Sequence, residues 1–290
     1  MGVRESAAGI SPDETNIRDF VIEEKETAPL PPIADLYLKL EEEADKHWED
    51  IRDGILEENR AVGGNHWVNL ACGAKLLFPE RAAEEYGTNS DSELRLLKFY
   101  KEQKRFDDRY LSEARELIIL FPEKAKEMEL ASDEAWQGAK AILEENHKLE
   151  NWRNFFTMAA EAKIVFPKKT NEDLFLDVSA RKAAYAQLQE DSNLKRGFYG
   201  FFGTLRDVKI LFPDSAGFKL SNQIVKRIDE QVESWKSVQG WRKIAGRVSD
   251  IKIAAAEEII IDENGLRCVM PEAKTRLSLK DKPRPVRRAY

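Results

Sequence analysis

The sequence predicts an all-α fold: a right-handed α-solenoid of about five helix-turn-helix repeats of 43–46 residues, with a small C-terminal β-hairpin as a cap and flexible ends. Three observations predict it. A short phrase recurs as Lys75-Leu76-Leu77-Phe78-Pro79, Ile118-Ile119-Leu120-Phe121-Pro122, Lys163-Ile164-Val165-Phe166-Pro167 and Lys209-Ile210-Leu211-Phe212-Pro213, its Phe positions 43, 45 and 46 residues apart. Apolar residues precede each Phe at helical spacing. Beyond the last repeat, β-branched runs flank Asn264-Gly265, a strong short hairpin signal.

Residues 1–32 are acidic, carry few aromatics and end in Pro29-Leu30-Pro31-Pro32, which predicts a disordered arm with a stiff elbow. The start, Met1-Gly2-Val3-Arg4-Glu5-Ser6, also fits the loose N-myristoylation pattern, short enough to arise by chance. The helical array spans 33–258, the hairpin 259–271, a cap or alternatively an edge offered to a partner strand, and a flexible basic tail 272–290.

The first unit opens with Leu36, Leu40, Ala44 and Trp48 at four-residue spacing, one helix running to Glu58 or Asn59. Gly63-Gly64 breaks it, and Trp67, Ala71, Ala74 and Phe78 line one face of a second helix. Pro79 disfavours helical geometry at Phe78, and Pro79–Gly87 reads as a short third helix with Pro first and Gly at its exit.

The second unit starts with a capping box, Ser90 to Glu93, and carries Leu94, Leu97 and Phe99 or Tyr100, then Tyr110, Ala114, Leu117 and Phe121. In the third, Ser132 precedes two acids as a cap, and Trp136, Ile142 and Leu143 are followed by Trp152, Phe155, Ala159, Ala162 and Phe166. The fourth begins near Asp177 or Ser179 and presents Phe201, Leu205, Val208 and Phe212; Gly197, Gly200 and Gly203 weaken the start of its second helix. The fifth runs from Ser221 through Trp235 to Trp241, Ile244, Val248, Ile251 and Ala255, where Ala replaces Phe and no Pro follows. That degeneracy is what a terminal repeat shows when nothing covers it.

About a third of the residues are charged and the net charge is −7, which suits a soluble protein and argues against a nucleic-acid footprint spread over the whole chain. Two cysteines without a CxxC pair predict no disulfide framework, and hence a reducing, cytoplasmic setting. His47, His66 and His147 have no ligand spacing and read as exposed residues. No apolar run approaches the roughly 20 residues needed to cross a bilayer.

No GxGxxG, P-loop, GxSxG or HExxH motif is present, so neither an enzyme nor a cofactor is expected. Acidic runs such as Glu41-Glu42-Glu43 read as solvated faces. The lysine three residues before Phe recurs as Lys75, Lys163, Lys209 and Lys252, with Ile118 as the exception. Stacking would align these into a basic row able to meet phosphates or an acidic peptide, although a lysine in the last turn also suits the helix dipole. Trp67, Trp152 and Trp241 offer a stacking platform for bases or, more simply, core. The tail from Lys274 to Tyr290 has seven basic residues, among them Lys282, Arg284, Arg287 and Arg288, against one acid, Asp281.

Repeat length and helix count over about 33–258 resemble HEAT and armadillo repeats. Their consensus residues do not match, so no functional site is carried across. The expectation is a non-enzymatic scaffold or adaptor that binds a protein or peptide on its surface. The alternative is a nucleic-acid or ribonucleoprotein accessory factor that contacts phosphates through its basic tail.

Overall fold

The computed structural model describes residues 33–62, 66–86, 108–170, 174–193, 198–213, 220–262 and 265–270. The expected arm, the capping box at Ser90 and the basic tail lie outside these residues. The described chain is helical throughout apart from one hairpin. Its helices are α1 (Ile33–Lys46), α2 (Trp48–Val62), α3 (His66–Leu77), α4 (Pro79–Tyr86), α5 (Asp108–Leu120), α6 (Pro122–Glu127), α7 (Asp133–Lys148), α8 (Trp152–Val165), α9 (Val178–Asn193), α10 (Phe198–Leu211), α11 (Asn222–Gln239) and α12 (Trp241–Ala255).

Local chemistry sets the boundaries. Ser132 and Ser221 cap α7 and α11, their hydroxyls accepting from the backbone N–H of Ala135 and Ile224. Asp177 does the same for α9, accepting from the N–H of Ala180 at 2.8 Å. Pro79 and Pro122 each open a short helix directly after the recurrent Phe. Two glycines do not prevent α10 from forming, because its remaining face is packed.

The single first helix expected from the sequence is two helices. The His47 N–H turns back to Ala44 O, three residues away, and the axis breaks there. The break lets α1 lie on α11 and α12 while α2 lies on α3 and α12.

Helices α3, α5, α8, α10 and α12 each pack on the next, and α12 packs on α3. The array therefore closes on itself. Tyr110, Ala114 and Leu117 of α5, Phe155 and Ala159 of α8 and Leu205 and Val208 of α10 are all buried, as are Phe121, Phe166 and Phe212. Phe78 is partly buried, its ring set edge-on to Trp48 at 5.4 Å.

The closing junction uses the same two positions as the α5–α8 and α8–α10 junctions. Nine residues before the Phe column stand Ser112, Thr157 and Gly246; five before it stand Glu161, Asp207 and Gly73. Ser112 donates to Glu161 of the next unit, and Thr157 Oγ1 donates to Asp207 Oδ2 at 3.0 Å. At the seam, Gly246 faces Gly73 backbone to backbone.

Ring closure corrects the reading of the fifth unit as an uncovered end. Its flank is held by α3 and by α1, where Lys39 pairs with Asp229 at 3.2 Å, Lys236 pairs with Glu43, and His47 stacks on Trp241 with centroids 5.6 Å apart.

The hairpin forms as expected, from β1 (Glu258–Asp262) and β2 (Gly265–Val269), antiparallel with Asp262 opposite Gly265. The two-residue connection is thus Glu263-Asn264, and Gly265 takes a left-handed φ of +98° as the first residue of β2. It does not cap the fifth unit alone. Strand β1 packs on α8 and β2 on α5, and Leu266 is buried. A closed ring has no end face to cover, so the apolar side of the hairpin settles against helices across the ring from the unit that precedes it.

Candidate functional site

Each inner helix turns a second face toward the middle of the ring, made mainly by the positions six, five and two before the Phe column, with Arg247, eight before Ala255, added in α12. These faces line a partly open cavity of about 510 Å³. Its lining falls into two layers. One is apolar, built from Leu76, Ile119, Ile164, Ile210 and Ile253, with Leu266 of the hairpin against it. The other is charged: Arg115, Arg206 and Arg247 alternate with Glu161, Asp207 and Asp250.

The charged layer is a linked network. Arg206 Nη2 lies 2.7 Å from Asp207 Oδ1, and its Nη1 lies 3.4 Å from Asp250 Oδ1. Arg247 reaches the other oxygen of Asp250 at 3.6 Å. Arg115 spans two helices at longer range, 3.5 Å from Glu116 and 3.4 Å from Glu161, and its buried Nε has no hydrogen-bond partner among the described residues.

Burial acts on these groups in opposite directions. It pushes the Glu116 carboxyl up to about 7, with Arg115 pulling the other way. Glu161 and Asp250 are likewise raised by burial, against the pull of Arg115 and Arg206 respectively. Burial disfavours charge on Arg206, but Asp207 and Asp250 more than offset it and hold the guanidinium charged. The layer therefore offers fixed donors and acceptors in a low-dielectric setting, where each polar contact with a guest counts for more than in water.

The recurrent lysines sit elsewhere. Lys75 Nζ donates to Leu120 O at 2.7 Å, Lys163 to Ile210 O at 2.8 Å and Lys252 to Leu76 O at 2.8 Å. Each reaches the C-terminal carbonyls of the next helix round the ring, and Lys252 does so across the seam. Lys209 is half-buried near Cys268. Where the lysine is missing, at Ile118, Gly265 of the hairpin lies alongside, and a Cβ on it would make ordinary contact with Ile118 at 3.6 Å. Lys75, Lys163 and Lys252 thus tie neighbouring helices together. Lys282, Arg284, Arg287 and Arg288 lie outside the described residues.

Trp152 and Trp241 are packed among the helices, Trp152 stacked on Phe156 at 5.9 Å. The side chain of Trp67 lies outside the described residues. His47 is half exposed and 3.1 Å from Asp50. His147 departs from its expected exposure: its ring lies 5.2 Å from Trp152 and 5.4 Å from Phe155, and its Nε2 3.6 Å from Asp177. Among the described residues, no group of histidines, cysteines and acids is placed to hold a metal. Both cysteines are free, Cys72 buried and Cys268 partly so. Among the described helices, none is long and apolar enough to cross a membrane.

Compared with models of protein families, with curated proteins and with solved structures, the chain matches none of them.

Reading the sequence by its Phe and Ala columns missed the charged layer. A signal was present: Arg115-Glu116, Arg206-Asp207 and Ser249-Asp250 occupy corresponding positions, each followed three residues later by Ile. On an open array that face would meet solvent. Closure turns it inward.

Proposed function

We propose that this chain is a non-enzymatic binding protein that holds a small molecule in the cavity at the centre of its helical ring. The observation that carries this reading is the lining itself: three guanidiniums and three carboxylates in one layer, beside an apolar layer, around about 510 Å³. Cavities of that size with a few convergent polar groups are the usual form of a ligand site. Mass spectrometry of the gently purified full chain under native conditions tests it. A bound mass that the wild type carries and that Ile119→Phe, placed in the apolar layer, expels at unchanged helicity supports the reading. A protein that is ligand-free in both forms, and that no compound of a metabolite library stabilises thermally, overturns it.

A second reading, a scaffold for a protein or peptide partner, is favoured by exposed apolar residues at the turns between helices. Leu149, three residues before Trp152, is 70% exposed, and Val238, three before Trp241, is 78% exposed. These sit at corresponding positions of two units, so they share one end of the ring. Polar replacement of both should abolish partner capture while leaving small-molecule binding intact. The free cysteines support a reducing compartment such as the cytoplasm. For the basic tail, phosphate contact would appear as binding that weakens steeply with salt and vanishes when 274–290 are deleted.

A further inference from the structure

Resting on the cavity reading above, we infer that the guest is a small zwitterion of the amino-acid kind, carrying an ammonium, a carboxylate and an apolar body. Three features of the lining point there.

The first is charge balance. Arg115, Arg206 and Arg247 face Glu161, Asp207 and Asp250 across the same layer, so the lining is neutral with every group ionised. A guest with net charge of either sign would leave an uncompensated charge in a partly buried site, which is costly. A guest with one charge of each sign leaves the sum at zero and still finds a partner for both ends. Glu116, just behind Arg115, would add a fourth carboxylate, but burial raises its carboxyl to about 7, so it holds a proton for much of the time at neutral pH.

The second is an unused donor. The Arg115 side chain is only 11% exposed, its two carboxylate contacts are 3.4 and 3.5 Å, beyond good hydrogen-bond length, and its Nε is unpartnered among the described residues. A guest carboxylate supplies the acceptor that this group lacks. Asp207, by contrast, is already taken up by Arg206 and Thr157. Glu161 likewise accepts from Ser112, so the ammonium is assigned to Asp250, whose contacts to guanidinium nitrogens are 3.4 and 3.6 Å.

The third is the apolar layer. Leu76, Ile119, Ile164, Ile210 and Ile253 lie on the hairpin side of the charges, and Leu266 lies against them. A head held by Arg115 places the body of the guest among these side chains, where its burial contributes roughly 25 cal/mol per Å².

Calorimetry on the full chain tests this with three matched sets of probes. L-leucine, L-phenylalanine and L-tryptophan are each compared with the corresponding amine and the corresponding deaminated acid. At least one zwitterion is expected to bind tenfold or more tighter than both of its singly charged counterparts. Arg115→Gln should erase its advantage over the amine, and Asp250→Asn its advantage over the acid, with both variants keeping the helical signal of the wild type. If an amine or an acid binds as tightly as its zwitterion, and Ile119→Phe abolishes that binding, the zwitterion inference falls and the cavity reading stands. Absence of heat from all nine probes also overturns the zwitterion inference, while a co-purified mass seen by native spectrometry would still uphold the cavity.

Discussion

Gly73 of α3 and Gly246 of α12 meet with so little space that a Cβ built on Gly73 would lie 2.6 Å from the Gly246 Cα. Only glycine permits this approach, and it is the approach that closes the ring. The relation is one-sided, since a Cβ on Gly246 would meet nothing nearer than Asn69 O at 3.9 Å. Gly73→Ala should therefore force the two helices apart and destabilise the fold by about 2–3 kcal/mol. Gly246→Ala should be neutral or stabilise by up to about 1 kcal/mol through better helix propensity. Urea denaturation of both variants checks the asymmetry, and equal effects would contradict the described geometry.

Lys252→Met removes the donor that reaches Leu76 O across the seam, and Lys75→Met removes the matching tie to Leu120 O. Each should lower stability by about 1–3 kcal/mol, because half-buried carbonyls lose their partner. Were these lysines instead a surface row for phosphates, the same changes would leave thermal unfolding where it was and weaken anion binding. Melting curves with and without added polyphosphate separate the two.

Glu116 gives the ring a pH signature. Its carboxyl rises from an ordinary value of 4.5 to about 7, so between those limits the folded chain binds a proton that the unfolded chain has released. More protons on the folded side means that stability falls as pH increases. The penalty is absent below about 4.5 and complete above about 7, reaching up to about 3 kcal/mol. Glu116→Gln should flatten this segment, so the stability difference between variant and wild type should grow with pH across that window. Chemical denaturation at half-unit steps measures it, and a constant difference would refute the assignment.

Ser132→Ala and Ser221→Ala each remove one hydroxyl that accepts from a helix N-terminal N–H. Each should reduce stability by about 1 kcal/mol. The two caps belong to different units and share no partner, so the double variant should lose the sum of the single effects.

Much of this architecture can be read from residues that act locally. Caps at Ser132, Asp177 and Ser221, the Pro that opens a short helix after Phe78 and Phe121, and the hairpin around Gly265 depend on a few neighbouring positions, and a sequence displays those directly. The columns ending in Phe121, Phe166 and Phe212 give the packing of one unit on the next. Closure is different, because the repeat pattern states that each unit needs a neighbour and says nothing about which one the last unit finds. Gly73 and Gly246 look like ordinary helix glycines until their helices are brought together, and Ala255 looks like an unfinished end. The cavity was hidden for the same reason: Arg206 and Asp207 are polar residues on an amphipathic helix, and only the circuit of helices makes their side the inside.

The clasp of α1 over α11 and α12 has a consequence for how the protein is made. An open stack of helical pairs can fold from its first unit as the chain leaves the ribosome, and can fray from either end without losing the rest. Here the partners of α1 lie about two hundred residues downstream, with Lys39 bonded to Asp229 and Lys236 to Glu43. Helix α1 therefore cannot dock until α11 and α12 have been made. Loss of α12 through a premature stop would then bare α1, α2 and α3 at one end of the chain as well as α10 at the other.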